Sequence, residues 1–268
     1  MTDNPYAKQE FPGEEETMEL NEQFEEEDYR RPIVRRGTSV GWKLVAFLVV
    51  VIFITVFSFN GLGKIFSYFS LGFISRSREL SQSAKVQELK EAVVRVEVMS
   101  KGEGLVLPER RSGTGFNISP TGVIVTNYHV IQNAAAVSVS FSGGKTFRDI
   151  QVNEYPSLDL ALVYLDGQNL PNIEISRLLP GKGEKVLVIG NPLGFPWVVM
   201  EGEITGLGRV SQLAAPVIII DAPIQSGSSG SPVFNEKGQV VAIVFATTGD
   251  SQEQKKGLAI PAENLPEY

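Results

Sequence analysis

The chain has 268 residues, 43% of them hydrophobic, and its 31 acidic and 24 basic side chains give a formal net charge of −7. This length allows one large or two small domains with a sizeable core, and the absence of a long Lys/Arg stripe with interleaved aromatic residues argues against a nucleic-acid partner. Because there is no cysteine and only one histidine, His129, we expect no disulfide framework, no metal site and no cofactor.

The N-terminal segment is strongly acidic. Residues 1–28 hold 11 acidic side chains against a single base, Lys8, and such a composition is typical of disorder. The start is not basic and acid-poor, so it is neither a signal peptide nor a transit peptide. Four arginines follow at positions 30, 31, 35 and 36. We predict that residues 1–41 form a disordered cytoplasmic tail that ends in a basic juxtamembrane segment.

A long apolar run comes next. The nineteen residues from Leu44 to Leu62 carry no charge, and as a helix they would extend roughly 28 Å, close to the hydrocarbon thickness of a bilayer. A buried core helix is the alternative, but the length of the run, Trp42 at its edge and the preceding bases favour a transmembrane helix over residues 42–62. More bases precede the run than follow it, which predicts a single-pass protein of a bacterial-type inner or plasma membrane with its N-terminus in the cytoplasm.

Residues 63–89 are predicted to form a stem. The stretch "KIFSYFSLGFI" is apolar but too short to cross a bilayer again, and it is suited to the membrane interface. The following "SRELSQSAKVQELKEAV" contains good helix formers and no Gly or Pro, so we predict a helix that leads into residues 90–268.

From Val93 onward the chain consists of short Val/Ile-rich runs bounded by Gly, Pro and Asn. No long amphipathic helix separates these runs, which predicts an antiparallel all-β barrel or sandwich rather than alternating βαβ units. The runs are "VVRVEV", "GVIVTNYHVI", "AVSVSF", "LALVYL", "KVLVIG", "APVIIIDA" and "QVVAIVFA".

The stretch "QSGSSGSP" contains four serines, Ser226, Ser228, Ser229 and Ser231. Gly/Ser repeats are usually flexible linkers. Here, however, the flanks "VIII" and "VF" are apolar, which indicates a tight connection between core strands. The glycines also permit a positive φ and expose backbone N–H groups, as an oxyanion hole requires.

A serine nucleophile needs a base, and the base needs a carboxylate to orient it. His129 follows a Val/Ile-rich run and so lies at the end of a predicted strand, although a lone histidine is more often structural. Asp159 stands between apolar residues in "SLDLAL", where a partly buried carboxylate requires a partner. A turn or capping role is the alternative for Asp159.

Five separated blocks resemble the trypsin-like serine proteases of the HtrA/Deg type. They occur in the family's order and cover about residues 90 to 265: "SGTGFNISPTGVIVTNYHVI", "LDLALVYL", "VIGNPLG", "IIDAPIQSGSSGSPVFNEKGQVVAIV" and "GLAIPAENL". The resemblance implies an all-β, chymotrypsin-like double β-barrel in residues 90–268. With the membrane helix ahead of it, this indicates a serine endopeptidase on the extracytoplasmic side that cleaves misfolded or regulatory polypeptides.

The resemblance also implies the catalytic residues. His129 becomes the general base, Asp159 its orienting carboxylate and Ser229 the nucleophile, with the backbone N–H groups of Gly227 and Ser229 as the oxyanion hole. Two positions depart from the family motif Gly-Asn-Ser-Gly-Gly-Pro, since Ser228 replaces the asparagine and Ser231 replaces the second glycine. These departures are the support for an alternative, a weak or inactive binding, chaperone or sensor protein on the same fold.

The resemblance places the pocket for the substrate side chain before the scissile bond along residues 222–225 and 243–246. No aspartate that would select Arg or Lys stands there, so we predict a preference for small or medium apolar residues. The predicted substrate-binding residues are Ile224, Ile243, Val244 and Phe245, and a plain core position is the alternative for these side chains. We further expect this chain to lack the family's C-terminal PDZ domain, and the stem is where a homotrimer would form.

Overall fold

The computed structural model describes residues 40–57, 72–101, 108–148, 150–211, 213, 215–248 and 256–268. The chain divides into two compact units, residues 1–69 and residues 70–268. The predicted tail lies outside the described residues up to position 39, as do residues 58–62 of the predicted membrane helix and 63–71 of the predicted stem.

The first unit contains helix α1, Val40–Phe57. It covers most of the predicted transmembrane segment, and its Leu44 and Phe47 side chains are 62% and 67% exposed. Among the described residues, no helix meets the length and hydropathy required to span a membrane.

The second unit begins with two short helices, α2 (Gly72–Leu80) and α3 (Ala84–Ala92). The sequence predicts one helix over most of this stretch, but residues 81–83 form a turn, and Ser83 has extended φ and ψ before α3 begins. Helix α2 packs on the barrel described below. The buried Ser77 Oγ accepts a hydrogen bond from the Val199 N–H at 2.8 Å, and Arg76 bonds to Glu201 at 2.7 Å.

Seven antiparallel strands form the first sheet, in the order β5-β4-β1-β2-β3-β7-β6. Strand β3 ends at Thr126, and the four-residue helix α4 (Tyr128–Ile131) follows it. The run "GVIVTNYHVI" is therefore a strand followed by a helical turn. The strands are β1 Val93–Ser100, β2 Arg110–Asn117, β3 Val123–Thr126, β4 Ala134–Phe141, β5 Thr146–Phe147, β6 Ile150–Tyr155 and β7 Leu160–Leu165.

Six more antiparallel strands close into a barrel, in the order β10-β13-β12-β11-β8-β9. Each strand supplies alternating side chains to the barrel interior, where Ile218, Val233 and Ala259 are fully buried. The strands are β8 Lys185–Gly190, β9 Val198–Gly208, β10 Val217–Asp221, β11 Pro232–Phe234, β12 Val240–Thr248 and β13 Lys256–Pro261.

The predicted all-β fold is confirmed, but the described residues contain one closed barrel and one open sheet rather than two closed barrels. Strand β5 has only two residues and pairs with β4, while β6 pairs with β7. No ladder of described residues therefore joins β5 to β6. An apolar cluster that includes Phe116 and Leu160 of the sheet and Ile189 and Phe234 of the barrel packs the two together.

Candidate functional site

A cavity of about 420 Å³ lies between the open sheet and the closed barrel. The sheet contributes Arg111 and His129 to its wall, and the barrel contributes Leu193, Gly227 and Ser229. The structure thus brings three of the predicted site residues to one cavity. Asp159 lies directly behind His129 and completes the set.

The sheet holds His129 and Asp159 together. The His129 Nδ1 atom lies 2.8 Å from Asp159 Oδ2 and 3.1 Å from Oδ1, and the His129 backbone N–H also donates to Oδ1 at 3.0 Å. Since an ionised carboxylate only accepts hydrogen bonds, Nδ1 carries the proton and Nε2 is left as the basic nitrogen. The Asp159 side chain is 16% exposed and the His129 side chain 38%, so the carboxylate is the more shielded of the two partners.

Asp159 owes its position to an unusual backbone conformation. Its φ is 51°, in the left-handed region, at the end of a short 3-10 turn before β7. Aspartate tolerates this region better than most residues. The Asp159 carbonyl oxygen also accepts hydrogen bonds from the Tyr128 N–H at 3.2 Å and from Asn127 Nδ2 at 3.0 Å, which fixes the turn against the start of α4.

The barrel holds the serine-rich loop in a tight turn. The Ser228 N–H donates to the Gln225 carbonyl at 3.0 Å, and Gly227 has a φ of +91°, the features of a type II turn. A Cβ on Gly227 would lie 2.5 Å from the Asn191 oxygen, and one on Gly230 would lie 2.0 Å from the Thr114 oxygen. Both glycines are therefore required by conformation and by space, which is not how a linker behaves.

The carbonyl groups of this loop are bonded away from the cavity. The Ser226 oxygen accepts from the Leu193 N–H at 2.7 Å, the Gly227 oxygen from Thr114 Oγ1 at 2.9 Å and the Ser229 oxygen from the Thr114 N–H at 2.8 Å. Among the described residues, the backbone N–H groups of Gly227 and Ser229 have no acceptor. Two unpaired donors beside a serine suit the stabilisation of a developing oxyanion.

The Ser229 hydroxyl is not bonded to His129. Its Oγ donates to the Phe245 carbonyl oxygen at a long 3.4 Å. Both residues are described, and no hydrogen bond joins Ser229 Oγ to the imidazole. Contacts between a nucleophile and its base are often loose in the absence of substrate.

Sequence reasoning did not assign Thr114, which is fully buried on β2. In addition to its bonds to Gly227 and Ser229, its Oγ1 accepts from the Asn191 N–H at 2.9 Å. Thr114 thereby connects the open sheet to the serine-rich loop of the barrel. The signal was present in the block "SGTGF", but only the fold shows what the threonine contacts.

The two positions that depart from the family motif are both buried. Ser228 and Ser231 are 0% exposed, and neither hydroxyl has a partner among the described residues. Ser231 fits because it lies against Gly190, where a Cβ would be 2.1 Å from Ser231 Oγ. The larger residue at 231 is matched by the absence of a side chain at 190.

The four predicted substrate-binding residues lie close to the loop but mostly in the core. Ile224, Ile243 and Val244 are 3%, 0% and 1% exposed and belong to apolar clusters. Phe245 is partly buried and reaches the site through its carbonyl oxygen, which Ser229 contacts. A role for these residues in substrate binding stays a prediction.

Comparison with known proteins shows that this chain is similar to serine proteases. Residues 113–243 match the family described as the trypsin-like peptidase domain. A Synechocystis sp. protein named as a serine protease, HhoB, is 37% identical over 171 residues. The match covers 59% of this chain and 40% of HhoB. A Pseudomonas putida protein named as a DegP-like periplasmic serine endoprotease is 38% identical over 143 residues. The match covers 51% of this chain and 30% of that relative.

Solved structures of proteases are also similar to this chain. The active form of the Rv3671c protease from M. tuberculosis has a TM-score of 0.59 and 26% identity, covering 68% of this chain and 81% of that one. The HtrA-type protease AlgW with a tripeptide has a TM-score of 0.59 and 28% identity, covering 66% and 58%. The expected chymotrypsin-like fold and the homology to HtrA and DegP-like serine proteases are confirmed. The chain spans two fifths or less of the curated relatives just described.

Proposed function

We propose that this chain, a homologue of serine proteases with a trypsin-like peptidase domain, is a serine endopeptidase of the HtrA/Deg type that hydrolyses peptide bonds through His129, Asp159 and Ser229. The observation that carries the proposal is the 2.8 Å contact between His129 Nδ1 and Asp159 at a cavity that also contains Ser229 and the unpaired N–H of Gly227.

The arrangement supports a two-step reaction. His129 Nε2 removes the proton from Ser229 Oγ as the oxygen attacks the substrate carbonyl carbon, and the Gly227 and Ser229 N–H groups bind the resulting oxyanion. The imidazolium, stabilised by Asp159, then gives its proton to the leaving amine, which departs and leaves an acyl-enzyme. Water deprotonated by His129 attacks the ester, and release of the acid product returns the proton to Ser229.

Polypeptides are the proposed substrates, since the relatives carry the names of endoproteases. We propose misfolded or regulatory proteins as the natural substrates. We propose that cleavage follows a small or medium apolar residue, because no aspartate that would select Arg or Lys stands at residues 222–225 or 243–246.

A membrane anchor is proposed from the first unit. The charge-free run from Leu44 to Leu62 supports it, as do the exposed apolar side chains of α1. With the preceding arginines in the cytoplasm, the protease domain would lie on the extracytoplasmic side, where the relatives called periplasmic are named to act. In this proposal the tail is residues 1–41, the membrane span is residues 42–62, the stem is residues 63–89 and the protease domain is residues 90–268. The stem is the proposed homotrimer contact.

A second candidate is a weak or inactive binding, chaperone or sensor protein. The observation that favours it is the Ser229 hydroxyl, which bonds to the Phe245 oxygen rather than to His129. The altered motif positions Ser228 and Ser231 point the same way. Saturable binding of unfolded polypeptide without any hydrolysis over long incubation would establish this candidate.

The test is active-site labelling with a fluorophosphonate, which reacts with an activated serine. The wild type is expected to react, and Ser229→Ala is expected to lose the label. Ser228→Ala and Ser231→Ala are the matched controls and should keep it. Labelling that persists in Ser229→Ala but is lost in either control would assign the nucleophile to a different serine.

A further inference from the structure

Arg111 introduces a permanent positive charge into the candidate active site. It is located on β2, and among the described residues that line the cavity it is the sole arginine or lysine. The wall around it is otherwise built from His129, small polar groups and apolar side chains such as Leu193. The polarity of this cavity is therefore set largely by one guanidinium group.

The hydrogen-bonding capacity of Arg111 is mostly unused. Its Nη2 donates to the Gln132 carbonyl oxygen at 2.6 Å, while its Nε is buried and has no partner in the described part of the chain. A guanidinium carries five N–H donors. One neutral carbonyl compensates neither the charge nor the remaining donors, and a partly buried cation is costly without a carboxylate.

Glu97, on the neighbouring strand β1, is not available to Arg111. Glu97 is already bonded to Arg95 at 3.2 Å and to Arg110 at 3.1 Å. Arg111 follows Arg110 on the same strand, and successive side chains of a strand point to opposite faces. No described acidic residue contacts Arg111, so no carboxylate in the described part of the chain compensates its charge, and Arg111 lines the cavity.

We propose that Arg111 is a specificity subsite that binds a carboxylate of the substrate close to the scissile bond. A planar guanidinium binds a carboxylate through two parallel hydrogen bonds. The carboxylate is that of an Asp or Glu side chain or of a free chain terminus. This inference rests on the proposed function, and it adds an acidic requirement to the apolar preference proposed for the residue before the bond.

The test uses fluorogenic peptides with both termini blocked, each cleaved at one bond. Paired peptides differ by Asp or Asn at one position, scanned over the residues on either side of the bond. For the wild type, kcat/KM is expected to be about tenfold higher for Asp at one position, as a hydrogen-bonded charge contact would give. One further Asn peptide with a free C-terminus distinguishes a terminal carboxylate from a side chain.

The matched variants are Arg111→Gln and Arg110→Gln. Arg111→Gln should reduce the Asp/Asn ratio of kcat/KM to about one, and Arg111→Lys should keep part of that ratio. Arg110 is exposed and paired with Glu97, so Arg110→Gln should keep the wild-type ratio. Thermal melts confirm that each variant is folded.

The inference fails if the wild type treats Asp, Asn and free-terminus peptides alike at every position, or if Arg111→Gln keeps a preference. Failure of the proposed function is separate, since it would abolish hydrolysis of all peptides and labelling of Ser229. In that event, fluorescence anisotropy of the same peptides on Ser229→Ala decides the matter. The subsite is supported if Ser229→Ala binds the carboxylate peptides more tightly than the Asn peptides and the double variant Ser229→Ala/Arg111→Gln does not. Equal binding of all the peptides by Ser229→Ala overturns it.

Discussion

The open sheet and the closed barrel hold their parts of the candidate site by different means. The sheet orients His129 through the Asp159 carboxylate, which contacts the imidazole Nδ1 with both oxygens and accepts the His129 backbone N–H. The barrel orients Ser229 through the backbone, with a positive-φ glycine turn and carbonyl groups bonded to Leu193 and Thr114. The position of the proposed base therefore depends on the chemical identity of one partner, whereas that of the proposed nucleophile depends on backbone conformation at several residues.

The largest expected effect comes from the sheet. Asp159→Asn is isosteric, but its amide can place a donor against His129 Nδ1 and favour the wrong tautomer. We expect kcat to fall roughly 10⁴-fold, as for the corresponding change in the serine-protease template. Fluorogenic hydrolysis measures it, and the exposed Asp166→Asn serves as a control that keeps full activity. A loss below tenfold would contradict the proposed role of Asp159.

On the barrel, a change in the shape of the turn at Gly227 is expected to give the second largest loss of kcat. Gly227→Ala is expected to lower kcat by about 10² to 10³, the cost of one oxyanion donor, because the new Cβ would meet the Asn191 oxygen at 2.5 Å. Gly183→Ala is the matched control, since Gly183 has a φ of +89° with nothing within 4 Å of its Cβ position. Equal activity of the two variants would refute a special role for the 227 turn.

The connection between the two regions should have an intermediate effect. Thr114→Val removes the hydroxyl that bonds to Gly227 and keeps the side-chain shape, so we expect kcat to fall roughly 10- to 100-fold through misplacement of the loop. Thr114→Ser should restore most of it. Thr205→Val removes another partly buried hydroxyl, which bonds to the Ile219 oxygen, and should leave kcat unchanged.

The smallest effect is expected in stability. Ser231→Ala removes a buried hydroxyl that has no partner among the described residues, so the free energy of unfolding should rise by about 1 kcal/mol. Denaturant titration measures this, with labelling of Ser229 preserved. The partly exposed Ser119→Ala, which loses the hydrogen bond that its hydroxyl accepts from the Thr121 N–H, should not raise the free energy of unfolding. A loss of stability in Ser231→Ala would show that the hydroxyl is bonded in solution.

The strands most easily predicted from the sequence are rich in Val and Ile, such as β1, β7, β8 and β12. Strand β2 is harder to predict because it reads "RRSGTGFN". Its glycines are needed for packing, since a Cβ on Gly113 would lie 2.8 Å from Val130 and one on Gly115 would lie 2.8 Å from Ile124. Close packing of β2 against β3 and the helical turn that follows it therefore lowers the local strand signal.

The same limit applies to the site. His129, Asp159 and Ser229 are predictable because their chemistry is recognisable in the chain order of the resemblance. Thr114 and Arg111 are not predictable in this way, because threonine and arginine are common residue types. The role of Thr114 arises from its contact with Gly227. The proposed role of Arg111 arises from the lack of a carboxylate partner in the described part of the chain. Thr114 has a partner 113 residues away in the sequence. Arg111 has no acidic partner among the residues that the structure describes.

The bond from Val199 to Ser77 has a practical consequence. Strand β9 pairs with β8 at Val199, and the Val199 N–H on its other edge is capped by α2. Unpaired strand edges recruit other chains. A protease domain shortened to begin at residue 84 would present this edge to its neighbours, and recombinant preparations of it should be prone to self-association even when the catalytic residues are intact.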